Sequence, residues 1–313
     1  MIAVIGSINM DVVLRVERAP SAGQNIYVES TGLVCGGKGA NAAIALSRLG
    51  EEVAFCGCVG ADDNGMRLLE NLKQEGVDIS PVIVREGIDS GTAYILLERD
   101  GANRIVVAPG ANETLKAEDM HRYALPLIRR SELVLINLEM SMTCINEIVQ
   151  LCRQEHKCLV IDAGPVRGVR PEQLAGAYCV SPNETELEAL AGRPLNGMDE
   201  VRRAAGELLD LGIERVLIKL GGRGCCMVSR QESYILPAYE VRVVDTTAAG
   251  DSFMAGFCSA LAVGLEEREA VRRANMCGAV AVTRTGAAPS LPCRKDIEMF
   301  DAFLLSHKKE VVG

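Results

Sequence analysis

The sequence predicts an α/β protein: a mostly parallel central sheet with helices on both faces, plus a small separate β-sheet. Three observations predict it. Beyond Pro109, short apolar runs alternate with segments of helical period, the pattern of β-α-β units packed as a covered sheet. Before that point, two pairs of β-rich runs, Val12 to Val16 with Asn25 to Val34 and Thr92 to Glu98 with Arg104 to Val107, have no helix within either pair. And 313 residues suit one large α/β domain, alone or with a small appendage. The expected division is a core of residues 1–10, 35–90 and 108–313, and a small sheet of residues 11–34 and 91–107.

Each element has a local reason. Ile2 to Ile5 is a short apolar run stopped at Gly6, a buried strand. Ala43, Leu46 and Leu49 share one helical face over Ala40 to Leu49, and Gly50 ends that helix. Val53 to Val59 reads as a strand and Gly65 to Glu75 as a helix closed by Gly76. The Asp100-Gly101 turn between Thr92–Glu98 and Arg104–Val107 signals a hairpin. Next come strand Leu133 to Leu138, helix Thr143 to Gln154, strand Cys158 to Asp162, strand Ala177 to Val180 and helix Glu184 to Ala191. Helix Glu200 to Leu211 and strand Arg215 to Leu220 follow, then an antiparallel pair, Cys225 to Ser229 with Ser233 to Leu236. Helices close the chain at Gly250 to Val263, Glu266 to Val282 and Lys295 to Ser306.

Composition excludes several classes. A net charge of −9 argues against nucleic-acid partners, since phosphate backbones require a basic surface. With 48% hydrophobic and 24% charged residues, the chain is expected to fold. The most apolar stretch, Ser252 to Leu265, is too short to span a bilayer and is broken by Gly256 and Gly264. Met1 to Gly6 lacks a basic leader, so a cytoplasmic location is expected. The 12 cysteines form no C-x-x-C pair and sit in apolar context, which fits reduced, buried thiols rather than disulfides or zinc.

Ligands of such folds bind beyond the carboxyl ends of the strands. Several segments there could carry chemistry. Gly36-Gly37-Lys38-Gly39-Ala40-Asn41 opens a helix; Gly39 stands where a P-loop needs Ser or Thr, so the segment offers close backbone approach and an amide rather than a Walker site. Asp245-Thr246-Thr247-Ala248-Ala249-Gly250-Asp251 leads into an apolar helix, whose free N–H groups suit developing phosphoryl charge. Asp251 could accept a proton there, or serve only as a first-turn carboxylate. Asn183 and Glu186 could hold hydrated Mg²⁺ and phosphate, or simply cap a helix. Lys219 to Gly224 is a strand end and a glycine turn that could cover phosphates or form a plain hairpin turn. Asn9, Asp11 and Glu139 are polar groups at strand ends, costly to leave unpaired.

Together these motifs resemble the PfkB/ribokinase family of ATP-dependent carbohydrate kinases. The glycine segment 36–41 continuing to Arg48-Leu49-Gly50, and the 245–251 segment, carry the resemblance. Its span runs from Gly6 to Ser290. It implies phosphorylation of the primary hydroxyl of a small sugar, D-ribose to D-ribose 5-phosphate foremost. Alternatives are a family kinase for 2-deoxyribose, fructose, pseudouridine or another nucleoside, or a non-catalytic sugar- or nucleotide-binding regulator. A dinucleotide oxidoreductase is excluded, because no G-x-G-x-x-G follows the first strand.

By this resemblance Asp251 is the base, and Ala248, Ala249 and Gly250 form the anion hole. Asn9, Asp11, Gly37, Lys38, Asn41 and Glu139 bind the sugar. Asn183, Lys219, Gly221, Gly224 and Asn275 bind the nucleotide, and Glu186 holds Mg²⁺ through water. Asp245, Thr247, Ala281, Arg284, Gly286 and Ser290 surround a monovalent cation, K⁺. The small sheet is then a lid that closes on the sugar and pairs two subunits as a homodimer.

Overall fold

The computed structural model describes residues 1–99 and 102–310. The Asp100-Gly101 turn expected from the sequence lies outside the described residues. The strands in chain order are β1 (Ile2–Ile5), β2 (Asn9–Val16), β3 (Ser30–Gly36), β4 (Val53–Cys56), β5 (Cys58–Gly60), β6 (Ile83–Arg85), β7 (Gly91–Glu98), β8 (Asn103–Ala108), β9 (Leu133–Asn137), β10 (Cys158–Asp162), β11 (Cys179–Ser181), β12 (Arg215–Lys219), β13 (Cys225–Ser229) and β14 (Ser233–Leu236). The helices are α1 (Lys38–Arg48), α2 (Asp63–Gln74), α3 (Ala117–Asp119), α4 (Leu125–Arg130), α5 (Met142–Gln154), α6 (Glu184–Ala191), α7 (Met198–Asp210), α8 (Ala249–Ala262), α9 (Glu267–Ala281) and α10 (Arg294–Glu310).

An eight-stranded sheet in the order β14-β13-β12-β11-β10-β9-β1-β4 forms the centre. Its strands from β4 to β12 are parallel, and β13 and β14 return antiparallel. Strand residues alternate between two apolar layers, as the period of two requires. Ala3 and Ile5 face the layer built by α5, α6 and α7, while Ile2 and Val4 face α1, α8 and α9. Buried on both sides, these strands read as continuous apolar runs, which is why they were legible. All 12 cysteines are free thiols, and burial pushes Cys56 and Cys277 up to about 12.

A second sheet, β3-β2-β7-β8, stands apart from the first. Strands β2 and β7 run parallel, with β3 and β8 antiparallel at the edges. Here the expected strand Asn25 to Val34 is corrected. Pairing begins only at Ser30, opposite Arg15, because β2 ends at Val16 and leaves nothing for residues 25–28 to pair with. The expected strand Val53 to Val59 is likewise broken at Gly57. Strand β4 belongs to the central sheet, while β5 pairs with β6 in a two-stranded sheet of its own. A Cβ at Gly57 would meet the Phe55 ring at 2.7 Å and Gly6 O at 2.8 Å, so only glycine makes this step.

Residues 117–130 form a helical segment that the sequence reading left unassigned. A π turn, Met120–Ala124, joins α3 to α4. Pro126 sits in the first turn of α4; it lacks an N–H, and the widened turn before it relieves the clash that a regular helix would impose.

The turn into α1 is a close backbone approach. Gly37 has φ +93°, and a Cβ there would stand 2.7 Å from both Asn9 N and Ile8 Cα. Gly37→Ala is therefore expected to destabilise the protein by about 1–3 kcal/mol. Thermal unfolding checks this; an unchanged melting temperature would mean that the turn is not constrained as described.

Candidate active site

A cavity of about 860 Å³ lies beyond the carboxyl ends of the parallel strands. Asp162 ends β10, Lys219 ends β12, and Glu139 and Asn183 follow β9 and β11 within two residues. Ala93, Ile95, Ile105 and Val107 of the second sheet form one wall, and Tyr239, Val241 and Val243 form another.

Asp251 occupies the first turn of α8 and is only 5% exposed. Ala248, which caps this helix, has φ +59°, a left-handed backbone that a non-glycine residue adopts at some cost. It offers no side-chain cap, and among the described residues no backbone carbonyl accepts from Gly250 or Asp251 N–H. A bare helix N-terminus thus faces the cavity, a site suited to anionic oxygen. Asn41 Nδ2 donates to Asp251 Oδ2 at 2.8 Å. Asn41 Oδ1 is buried with no partner. Burial raises the Asp251 pKa, while the Lys38 charge and the Asn41 bond oppose it. Asp251 in turn holds Lys38 protonated, against the burial that would discharge it.

At one end of the cavity, Asp11 is pushed up to about 7, first by burial and then by the charges of Glu139 and Asp251. Burial also raises Glu139, with Lys38 and a short bond from Ser7 Oγ (2.5 Å) opposing it. Glu139 N donates to Asn137 Oδ1 at 3.1 Å, which fixes the turn after β9.

At the other end, Asn183 and Glu186 cap α6 reciprocally: Asn183 N donates to Glu186 Oε2 at 2.7 Å, and Glu186 N to Asn183 Oδ1 at 2.8 Å. Both also line the cavity, so capping and ligand contact are compatible. Lys219 Nζ bonds Asp162 and lies 3.9 Å from Glu186 Oε2. Gly221 and Gly224, with φ of +56° and +92°, bring backbone to the cavity rim. Asn275 lines the cavity and donates to Pro237 O at 2.7 Å.

Of the expected cation residues, the structure brings Asp245, Thr247 and Gly286 together. Asp245 Oδ2 accepts from Gly286 N at 2.8 Å, and Oδ1 from Thr247 N and Oγ1 at 2.9 and 2.7 Å. Burial works against the Asp245 charge, but these bonds hold its carboxyl below the usual range. Ser290 Oγ donates to Ala287 O, and Ala281 O accepts from Arg284 N. The Arg284 guanidinium turns instead to Asp296, at 2.6 Å. Only Thr247 of this set lines the main cavity.

Sequence reasoning missed Asp162, although a carboxylate at the end of an apolar strand is the same signal that marked Asp11 and Glu139. It also missed the wall of Tyr239, Val241 and Val243, which comes from a loop without a motif; the wall of β7 and β8 falls in the segment that the resemblance assigned to the lid.

Such a fold, with a buried carboxylate beside a bare helix N-terminus, defines an α/β enzyme equipped to transfer an anionic group to an alcohol. Residues 1–294 match the pfkB family of carbohydrate kinases, and the chain belongs to that family. It is 34% identical over 298 residues to a ribokinase of Haemophilus influenzae, covering 94% of this chain and 96% of that one. A deoxyribokinase of Salmonella typhi is 30% identical over 304 residues, covering 97% and 98%. The structure of an Arabidopsis thaliana ribokinase complexed with ribose and ATP superposes with a TM-score of 0.88 at 30% identity, covering 95% of this chain and 97% of that one.

The Asp11 pKa has a consequence for stability. A carboxyl whose pKa is higher folded than unfolded favours the native state at low pH, and loses that contribution as pH rises from about 4 through about 7. Asp11→Asn is therefore expected to gain melting temperature relative to the parent as pH rises across this window. A gap that stays constant with pH would refute the assignment.

Proposed function

We propose that the protein transfers the γ-phosphoryl group of MgATP to the primary hydroxyl of D-ribose, forming D-ribose 5-phosphate. The observation that carries this reading is the position of Asp251, buried at the bare N-terminus of α8 and facing Lys38 and Asn41. Asp251 takes the hydroxyl proton, and the oxygen attacks the γ-phosphorus. The bond from that phosphorus to the β,γ-bridging oxygen breaks, and ADP leaves. The free N–H groups of Gly250 and Asp251, in the expected anion hole that begins at Ala248, and the Lys38 charge offset the charge of the transferring group.

The sugar is assigned to the end bounded by Asn9, Asp11, Gly37, Asn41 and Glu139. The unpaired Asn41 Oδ1 supports this, because a buried acceptor calls for a hydroxyl donor. The nucleotide is assigned to Asn183, Lys219, Gly221, Gly224 and Asn275. Glu186, with Asp162 nearby across Lys219, offers the oxygen donors that suit hydrated Mg²⁺. Bound Mg²⁺ would neutralise phosphate charge. Asp245, held anionic by the Gly286 and Thr247 N–H groups and the Thr247 hydroxyl, is assigned to K⁺, which would steady the loop that leads into α8.

The second sheet is read as a lid over the sugar. Its face away from the cavity carries a cross-strand row of Leu33, Val12, Tyr94 and Val106, with Leu33 55% and Val106 63% exposed. That row supports pairing of two copies through the lid, which sedimentation at several concentrations tests: a single monomeric species throughout would sink it.

ADP release with MgATP across D-ribose, 2-deoxyribose, fructose, adenosine and pseudouridine, with and without K⁺, tests the reaction. Turnover is expected to be highest on D-ribose and to rise with K⁺. A preference for another substrate would overturn the ribose assignment and leave the chemistry standing. Asp251→Asn is expected to lower kcat by at least about 10²–10⁴-fold with the sugar KM largely kept. Near-parental kcat would remove Asp251 as the base.

A further inference from the structure

The chain passes between the two sheets at three points that meet in space: Ile8 to Asn9 entering β2, Ser90 to Gly91 entering β7, and Pro109 to Asn112 leaving β8. Asn112 lies at this crossing and is 2% exposed. Its Oδ1 accepts from Ile8 N at 3.1 Å, and its Nδ2 donates to Ile8 O at 3.1 Å, as a neighbouring strand's backbone would. The same Nδ2 lies 2.9 Å from Asn9 Oδ1 and 3.1 Å from Pro109 O. Gly91 leaves room for this: a Cβ there would stand 2.2 Å from both Asn112 Nδ2 and Asn9 Oδ1.

These bonds fix two amide orientations in sequence. A backbone N–H only donates, so the end of Asn112 facing Ile8 N is oxygen and the other end is NH₂. Two NH₂ groups cannot face each other at 2.9 Å, so Asn9 turns its oxygen toward that NH₂. The Asn9 NH₂ is left over. Asn9 lines the cavity, and among the described residues no acceptor takes its Nδ2 hydrogens.

We propose that Asn112 is a positioning residue for substrate recognition: it locks the Asn9 amide with NH₂ toward the cavity, so that Asn9 donates to an oxygen of the sugar. This rests on the reading of that end of the cavity as the sugar site. Asn112 itself touches no substrate; it acts through Asn9.

A double-mutant cycle tests it, with KM for D-ribose, KM for MgATP and melting temperature measured throughout. Asn112→Asp keeps an acceptor for Ile8 N but cannot donate to Asn9, whose amide would then turn over. It is expected to raise the D-ribose KM by about 5- to 150-fold, the range for leaving one buried hydrogen-bonding group unpaired, with the MgATP KM within about twofold. In an Asn9→Ala background the same substitution is expected to change the D-ribose KM by less than about twofold. The same factor in both backgrounds, or an equal rise for MgATP, would assign Asn112 to the fold alone and overturn the proposal. If Asn9→Ala leaves the D-ribose KM unchanged, the sugar assignment of Asn9 fails first and the positioning role falls with it. Asn112→Ala, taken through the same cycle, decides the question if the buried carboxylate of N112D prevents folding.

Discussion

The electrostatic coupling of half-buried Lys38 to buried Asp251 is the constraint on which the site depends. A carboxylate left alone in the interior would hold its proton and could not act as a base. Lys38 supplies the opposing charge, and Asp251 is in turn the main reason that Lys38 stays protonated despite its burial. The two side chains come from the first turns of α1 and α8, so the chemistry depends on how closely those helices approach. Small residues let them do so: Ala40 and Ala43 of α1 and Ala255 of α8 are buried. On the other side, a Cβ at Gly256 would meet Cys277 Sγ at 2.6 Å, so α9 locks α8 from behind. Packing sets the spacing, and the spacing sets the charge balance.

The remaining carboxylates are held apart by the same economy. Asp162 is neutralised by Lys219, which leaves Asp11 and Glu139 without a direct cationic bond. Burial raises both pKa values, and both groups border the space proposed for the sugar. A hydroxyl-rich ligand can supply hydrogen bonds there that the protein does not. The acceptors that are expensive in the free protein are thus the ones a polyol can satisfy, which links the strain of the free site to its selectivity.

Much of this was legible in the sequence, and for physical reasons. The central strands are apolar on both faces, so their runs stand out, and α6, β13 and β14 fall where local patterning puts them. The two glycine-rich turns are legible because they must approach a ligand or another backbone. What escaped depends on partners distant in sequence. Residues 25–28 have strand-like composition but no strand to pair with. Gly57 divides one apolar run between two sheets, which no local signal announces. Asp162 carried the strand-end signal that marked Asp11 and Glu139, but its partner Lys219 lies 57 positions away. Arg284 was placed at the cation site by resemblance alone; its guanidinium pairs with Asp296.

Asn9 and Asn41 show why residue type alone does not give a role. Both are amides, both are buried, and both border the same cavity. Asp251 takes the nitrogen of Asn41 and leaves its buried oxygen without a partner. Asn112, oriented by a backbone N–H, takes the oxygen of Asn9 and leaves a nitrogen. One side chain becomes an acceptor and its twin a donor, each decided by a neighbour that does not border the substrate or does so for another purpose. A ligand matched to the cavity must offer the complementary pattern, a donor at one amide and an acceptor at the other. A sugar hydroxyl can do either, so in the proposed sugar site its orientation would be set by this pair as well as by shape.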